Sequence, residues 1–162
     1  MNRVEILVFF LQVQPLSGLL FEYTIFQPIF MHSHEISIRV RYGETDQMGV
    51  VYHGNYPQYL ELGRVEWLRA LGISYAEMEE TGYILPVTGI RIEYKKPAVY
   101  DQLLTIRTRL RNIPTVRISF DFEIESENGE ILATAQTDLA FLDSKTRRPV
   151  RCPDYILDKL QT

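Results

Sequence analysis

The alternation of apolar and polar residues after position 35 is typical of β-strands. A strand with one buried and one exposed face places apolar side chains at every second position. This pattern occurs five times, at Ile36, Ile38, Val40 and Tyr42, at Ile90, Ile92 and Tyr94, at Leu104, Ile106 and Leu110, at Ile118, Phe120, Phe122 and Ile124, and at Ile131, Ala133, Ala135, Leu139 and Phe141. We therefore predict five strands, each with one side in the core.

Turn-forming residues separate the later strands. Lys96-Pro97 precedes the third strand, and the segment from Asn112 to Pro114 separates the third from the fourth. The fourth and fifth strands are joined by Asn128-Gly129, a pair that strongly favours a hairpin. The last three strands should therefore form an antiparallel meander.

The segment between the first two strands has the period of a helix. Its apolar residues recur mostly at three- or four-residue spacing, at Tyr56, Leu60, Val65, Trp67, Leu68 and Leu71. Gly72 should end this helix, and Ser74 should cap a second, shorter helix reaching Glu80. Pro153 to Leu160 is predicted as a short terminal helix. One central helix with a long antiparallel sheet curled around it is an α+β architecture.

Composition and charge are those of an ordinary globular domain. Of 162 residues, 46% are hydrophobic and 23% are charged, and the net charge is −4. This balance argues against nucleic acid as a partner, because such proteins carry a basic surface. The single cysteine, Cys152, has no partner for an intrachain disulfide, which favours a reducing compartment such as the cytoplasm.

Residues 1–30 differ from the rest of the chain. They carry only three charges, at Arg3, Glu5 and Glu22. They form an apolar extension that is too interrupted by polar residues for a membrane-spanning helix and fits a signal peptide poorly. Our hypothesis is that translation starts at Met31, because the strand pattern begins directly after it. The predicted domain therefore covers residues 31–162.

The loop between the first strand and the central helix carries the candidate chemistry. Asp46 lies in this loop beside the apolar residues Met48, Val50 and Val51, and partial desolvation of its carboxylate would raise its pKa. An aspartate in a turn also often caps its own backbone, and spacing alone favours that simpler interpretation. Both interpretations stay open at this point.

The start of the central helix offers a site for an oxyanion. N–H groups near His53, Gly54 and Asn55 lack helical acceptors, and they could hold a carbonyl oxygen as it gains charge. Every helix start has such groups, and Asn55 could simply be the N-cap. Gly49 could allow close approach of a ligand or only supply a positive φ. The three histidines of the chain have no metal-ligand spacing, so no metal is expected.

Two motifs carry a resemblance to a known family. The segment Thr45-Asp46-Gln47-Met48-Gly49-Val50-Val51-Tyr52-His53-Gly54-Asn55-Tyr56, followed by Glu61 and Arg64 and later by Ile92-Glu93-Tyr94-Lys95-Lys96-Pro97-Ala98, resembles the 4-hydroxybenzoyl-CoA thioesterase family. Its Tol-Pal-associated acyl-CoA thioesterase branch is the most similar. The resemblance covers about residues 35–150.

The resemblance implies a hot-dog fold and hydrolysis of an acyl-CoA or acyl-carrier-protein thioester. It further implies a homodimer or homotetramer whose active site lies between subunits, with no cofactor besides the coenzyme A of the substrate. Position by position, Asp46 matches the catalytic carboxylate, and the backbone N–H of His53 matches the group that polarises the thioester carbonyl. The substrate-binding positions of the motif are Gly49, Val51, Tyr52, Asn55 and Tyr56. Whether Asp46 acts as base or as nucleophile stays open.

Other chemistry-bearing residues have simpler interpretations. Arg107, Arg109 and Arg111 share one strand face and could meet coenzyme A phosphates, although a solvated face is the commoner outcome. Glu61 and Glu66 lie on the central helix, where related hot-dog thioesterases can place a glutamate that serves as a second acid or base. The simpler interpretation is that Glu61 pairs with Arg64. Cys152 has no base beside it and is not expected to be a nucleophile.

Two rival functions use the same loop. A non-hydrolytic module that binds acyl-CoA or acyl-carrier protein would need the same cleft without turnover. A hot-dog dehydratase would need a histidine paired with an acid, and His53 lacks the His-Pro-Gly context of such enzymes. We rank the dehydratase last.

Overall fold

The computed structural model describes residues 32–160. The predicted extension at residues 1–30 and the hypothesis of a start at Met31 lie outside this part of the chain. The strands are β1 (Ser33–Arg39), β2 (Tyr83–Ile84), β3 (Val87–Tyr94), β4 (Leu103–Leu110), β5 (Arg117–Ser126), β6 (Ile131–Ala140) and β7 (Leu142–Asp143). The helices are α1 (Tyr56–Ala70), α2 (Tyr75–Glu80) and α3 (Asp154–Lys159), and 3₁₀ turns occupy Tyr42–Glu44 and His53–Asn55.

Five strands form one antiparallel sheet in the order β1-β4-β5-β6-β3. The predicted meander of β4, β5 and β6 is confirmed. Gly129 has φ +73° in the hairpin between β5 and β6, where a residue with a positive φ is required. The short strands β2 and β7 pair with each other outside this sheet, and the alternation of apolar residues gave no sign of them.

Helix α1 packs against the inner face of the sheet, on β1 and β4. Trp67, Tyr59, Leu60 and Leu68 are almost fully buried on this helix. Gly63 lies where α1 comes closest to the sheet, because a Cβ there would lie 2.5 Å from Oγ1 of Thr108. The predicted central helix is confirmed, and its close approach to the sheet depends on a residue without a side chain.

The predicted helix ends are also confirmed. Helix α1 stops at Ala70, and Gly72 follows with φ +69°. The hydroxyl of Ser74 accepts the N–H of Glu77 at 3.1 Å, so Ser74 caps α2 as predicted. The short terminal helix forms as α3, and Lys159 donates to the carbonyl oxygens of Leu71 and Gly72, which joins α3 to the end of α1.

Four apolar positions of the predicted strands are not in the core. One is Ile131, the first residue of β6, which is 41% exposed next to a register shift in the pairing of β5 and β6. Tyr42 was placed in the first strand, but that strand ends at Arg39, and Tyr42 lies in a 3₁₀ turn with 79% of its surface exposed. Ile90 and Tyr94 were assigned to the buried face of a strand, but they are 44% and 49% exposed. The reason is position, because β3 lies at the edge of the sheet and little of this chain covers it.

Candidate active site

Asp46 lies in a tight turn between β1 and α1. Its backbone N–H donates to the carbonyl oxygen of Val50 at 3.0 Å, and its carbonyl oxygen accepts the N–H of Gly49 at 2.9 Å. Oδ1 accepts the N–H of Met48 at 2.8 Å, which is the backbone-capping interaction that an aspartate often makes in a turn. Oδ2 accepts no hydrogen bond within residues 32–160. One carboxylate oxygen therefore orients the side chain, and the other is available to a ligand or to water.

The segment after Asp46 turns back and pairs with its neighbours. Gly49 has φ +76° and open space around its Cβ position, so the backbone conformation requires glycine here. Val51 pairs with Thr45 in a single bridge, and its N–H donates to the carbonyl oxygen of buried Ala98 at 2.8 Å. The loop therefore has a defined conformation.

The chain then enters α1 through the 3₁₀ turn His53–Asn55. The N–H groups of His53 and Gly54 donate to no acceptor in the part of the chain that the structure describes. The hydroxyl of Tyr94 donates to the carbonyl oxygen of His53 at 3.1 Å, which fixes this peptide against β3. Free N–H groups at the start of a helix are suited to polarise a carbonyl oxygen.

Glu44 joins the two ends of this loop. Its carbonyl oxygen accepts the N–H of Tyr52 at 2.9 Å and the side-chain amide of Asn55 at 2.8 Å. Asn55 stands at the N-cap position of α1 but makes no side-chain cap bond, and its backbone is helical (φ −86°, ψ −21°) rather than extended as in a typical N-cap. The Glu44 carboxylate is buried and accepts hydrogen bonds from Arg41 and from the hydroxyl of Tyr59.

The pKa values at Glu44 and Tyr59 follow from this contact. Burial raises the pKa of Glu44, but hydrogen bonds from the side chain and backbone of Arg41 and from Tyr59 outweigh it and leave the pKa below 4.5. Burial and the adjacent carboxylate raise the pKa of Tyr59 above its ordinary 10. Glu44 is therefore ionised at neutral pH, and the Tyr59 hydroxyl keeps its proton and donates a hydrogen bond to it.

The motif residues assigned to substrate binding lie at different depths. Val51 and Tyr56 are buried at 5% and 2% exposure. Tyr52 is 48% exposed, and its ring lies 4.3 Å from that of His53. Only the exposed members of the motif present side-chain surface to a ligand in this chain, and the assignment of the whole set stays a prediction.

The open cavity between β1 and α1 does not include the proposed reacting groups. Its volume is about 640 Å³, and its lining contains Glu44 and Glu61 but neither Asp46 nor His53. The lining of this cavity therefore does not join Asp46 to His53.

The other candidate residues have structural partners. Arg107 contacts Glu35, Glu123 and Glu125, Arg109 contacts Glu123, and Arg111 contacts Asp121, on the outer face of the sheet. Oε2 of Glu61 lies 3.5 Å from Nη2 of buried Arg64, which confirms the predicted pairing of these two residues. No group of three or more metal-ligating side chains is found within residues 32–160, where no helix is long and apolar enough to cross a membrane.

Cys152 does not have the surroundings of a reactive thiol. It is buried, and burial together with Asp154 raises its pKa to about 12. At neutral pH almost none of it is thiolate, and the thiolate is the nucleophilic form.

Comparison with known proteins decides the family. Residues 40–160 match the family described as the thioesterase-like superfamily. The chain belongs to this family. Its five-stranded antiparallel sheet around one central helix is the hot-dog thioesterase fold, as predicted, and the expected enzyme class, a thioester hydrolase, is confirmed.

Named relatives of this thioesterase cover most of the chain. YneP of Bacillus subtilis, which carries a provisional acyl-CoA thioesterase name, is 35% identical over 75% of this chain and 88% of its own length. The acyl-CoA thioesterase YbgC of Haemophilus influenzae is 32% identical over 74% of this chain and 88% of its own. The crystal structure of a DHNA-CoA thioesterase from Staphylococcus aureus is 37% identical, with a TM-score of 0.73, and covers 78% of this chain and 85% of that chain.

Asp46 and His53 were predicted from the sequence, and their catalytic roles stay predictions; the residues that hold them in place were not predicted. Glu44, Tyr59 and Tyr94 were not singled out as parts of the site. The position of Glu44 two residues before Asp46 was the one available signal.

Proposed function

We propose that this thioesterase hydrolyses acyl-CoA thioesters to a free acid and coenzyme A, with Asp46 as the reacting carboxylate. The observation that carries the proposal is the loop geometry. Asp46 Oδ2 and the N–H groups of His53 and Gly54 are all without partners in the described chain, on one short loop that is closed by the Glu44 carbonyl. A carboxylate and two donors of this kind are what hydrolysis of an activated carbonyl needs.

The reaction divides between these two groups. The N–H of His53 would hold the thioester oxygen as negative charge develops on it. Asp46 would remove a proton from the attacking water, or attack the carbonyl carbon itself to give a mixed anhydride. In either route the C–S bond breaks and the sulfur leaves as thiolate. In the first route the oxygen of water forms the new C–O bond of the acid; in the second, water then hydrolyses the anhydride, which releases the acid and restores the Asp46 carboxylate.

The proposed reaction requires no separate cofactor. A thioester carbonyl is already electrophilic, and a thiolate is a good leaving group. One carboxylate with an oriented oxyanion site is therefore sufficient chemistry, and coenzyme A enters only as part of the substrate. A cytoplasmic location is part of the proposal, supported by the class of substrate and by the single, buried cysteine.

We further propose that the enzyme is a homodimer or homotetramer in which a second copy covers β3. This strand is one of the two edge strands of the sheet, and its apolar side chains Val87, Ile90 and Tyr94 are 39%, 44% and 49% exposed. Exposed apolar side chains on an unpaired edge favour association. The Tyr94 hydroxyl contacts the carbonyl oxygen of His53, so a copy at this edge would lie next to His53 and would form one wall of the active-site cleft.

Light scattering of the purified protein tests this assembly. A mass of two or four chains is expected, and Ile90→Lys should shift the mass toward one chain and lower thioesterase activity with it. Thr105→Lys places the same charge on an inner strand, β4, and serves as the control. A wild-type protein that is a monomer with full activity would contradict the proposal.

A thiol-release assay separates hydrolysis from binding alone. Purified protein is mixed with acyl-CoAs of varied chain length, aliphatic and aromatic, while free thiol and bound ligand are followed in parallel. Turnover of at least one acyl-CoA with release of stoichiometric thiol is expected. Tight binding across the panel without thiol release would instead favour the non-hydrolytic binding module.

A further inference from the structure

We propose that Glu44 is a positioning residue for this hydrolysis, because it holds the loop of Asp46 and the helix start of His53 in a fixed relation to α1. The inference rests on the proposed role of Asp46. Glu44 contacts neither reacting group directly, so its effect on the reaction would come through the loop. No motif role was assigned to it by the sequence resemblance.

The side chain of Glu44 fixes the beginning of the loop. Oε2 accepts the N–H of Arg41 at 2.7 Å and the hydroxyl of Tyr59 at 3.0 Å. Oε1 accepts from the guanidinium of Arg41 at 2.9 and 2.6 Å. The bond from the Arg41 N–H closes the 3₁₀ turn Tyr42–Glu44. The bond from Tyr59 joins that turn to the first turn of α1.

The backbone of the same residue fixes the end of the loop. The carbonyl oxygen of Glu44 accepts from the N–H of Tyr52 and from the side chain of Asn55, which flank His53 on either side. Asp46 follows Glu44 by two residues. One residue therefore bonds to the start of the loop, to its end and to the helix on which the loop rests.

Burial makes this arrangement sensitive to the charge of Glu44. Glu44 is the one buried acidic residue among residues 32–160, with 6% of its surface exposed. Both oxygens of its carboxylate accept hydrogen bonds, four in all, from Arg41 and Tyr59. Glutamine has an NH₂ group in place of one of these oxygens, and that group would face a donor. When one hydrogen-bonding group of a buried network is lost, its former partners are left without a hydrogen bond, which is unfavourable. The 3₁₀ turn that carries Glu44 must then move to restore these hydrogen bonds.

A small displacement of the loop is enough to reduce turnover. Reaction rates depend on the placement of reacting groups, and a shift of about 1 Å can cost about 100-fold. We expect Glu44→Gln to lower kcat for acyl-CoA by about 10- to 100-fold. KM should change by less than about threefold, because no contact of the substrate is removed.

A double-mutant cycle with Asp46→Asn tests the inference. If Glu44 acts by placing the Asp46 carboxylate, Glu44→Gln should lower kcat strongly in the wild-type background and by less than about twofold in the Asp46→Asn background. Tyr59→Phe, which removes one donor to Glu44 and keeps a buried ring, should show the same pattern with a smaller first effect. It also serves if Glu44→Gln fails to fold.

Glu123→Gln is the matched control. Glu123 is a partly buried glutamate on the outer face of β5. Burial raises its pKa, but hydrogen bonds from Arg109 and Arg107 outweigh burial and lower it, as at Glu44. Glu123→Gln should lower the free energy of unfolding without lowering kcat. An equal fall in kcat in both backgrounds, or no fall in either, would overturn the positioning role. If Asp46→Asn alone kept full activity, the proposed function itself would fail, and this result is distinct from the other two.

Discussion

Substituting Gly63 by alanine tests how closely α1 packs on the sheet. An added Cβ would lie 2.5 Å from Oγ1 of Thr108, 3.1 Å from Cγ2 of Ile106 and 3.3 Å from Cε1 of Phe122. A real Cβ does not approach another heavy atom to 2.5 Å, so the helix or the strand must move. Thr108 is fully buried in β4, which limits its freedom to turn away.

The expected cost is the difference between two effects. Overpacking a filled core costs about 1–3 kcal/mol. Alanine in a helix interior is favoured over glycine by about 1 kcal/mol. Because three atoms crowd the new Cβ rather than one, we expect the upper half of the range, and a net loss of about 1–2 kcal/mol. For a domain of this size that corresponds to a fall of roughly 2–8 °C in Tm.

Urea unfolding followed by circular dichroism measures this loss. Gly43→Ala is the control, because nothing lies within 4 Å of its Cβ position and its φ is not positive. It should be neutral or stabilise by up to about 1 kcal/mol. Adding Thr108→Ala to Gly63→Ala should remove most of the crowding and give a coupling of about 1 kcal/mol. A Gly63→Ala protein that is as stable as the wild type would refute the close packing of α1.

Two further predictions concern titrating groups. Cys152→Ala should keep the thiol-release rate within about twofold of wild type. Native protein at pH 8 should react with iodoacetamide far more slowly than unfolded protein, because burial raises the pKa of the Cys152 thiol to about 12. Rapid labelling of the native protein would contradict this. The folded-state pKa of Glu44 lies below 4.5, so its ionised form stabilises the fold above that pH, and the contribution is lost as pH falls through the lowered pKa. The stability difference between wild type and Glu44→Gln, from urea unfolding, should therefore be largest near pH 7 and shrink below pH 4.5, and a constant difference over this range would argue against the ionic contact.

The strands of the meander could be predicted because both neighbours of each strand are in this chain. In β4 and β5, the residues that alternate inward, such as Ile106 and Phe120, are fully buried. The same alternation in β3 was misleading for Ile90 and Tyr94. Alternation shows which side of a strand is apolar, but it does not show whether anything covers that side. Coverage of an edge depends on a surface that the local sequence does not contain.

The residues proposed to react could be named from the sequence, whereas the residues that support their loop could not. A short motif suggested Asp46 and His53, because loop chemistry next to a helix start follows the chain. The contacts of Glu44 join residues up to fifteen positions apart, and a buried carboxylate cannot be told from an exposed one by local pattern. Similarly, Asn55 was considered as an N-cap, but its amide donates to Glu44 instead.

The most direct test of the account is thiol release by Asp46→Asn under saturating acyl-CoA. Asparagine keeps the oxygen that accepts the Met48 N–H, so the turn should persist while the basic group is lost. Asp121→Asn, which changes an ion-paired aspartate on the outer face of the sheet, is the matched control. The account predicts that Asp46→Asn lowers kcat by about 10²–10⁴-fold while Asp121→Asn stays near the wild-type rate. Equal rates for the two variants would contradict it.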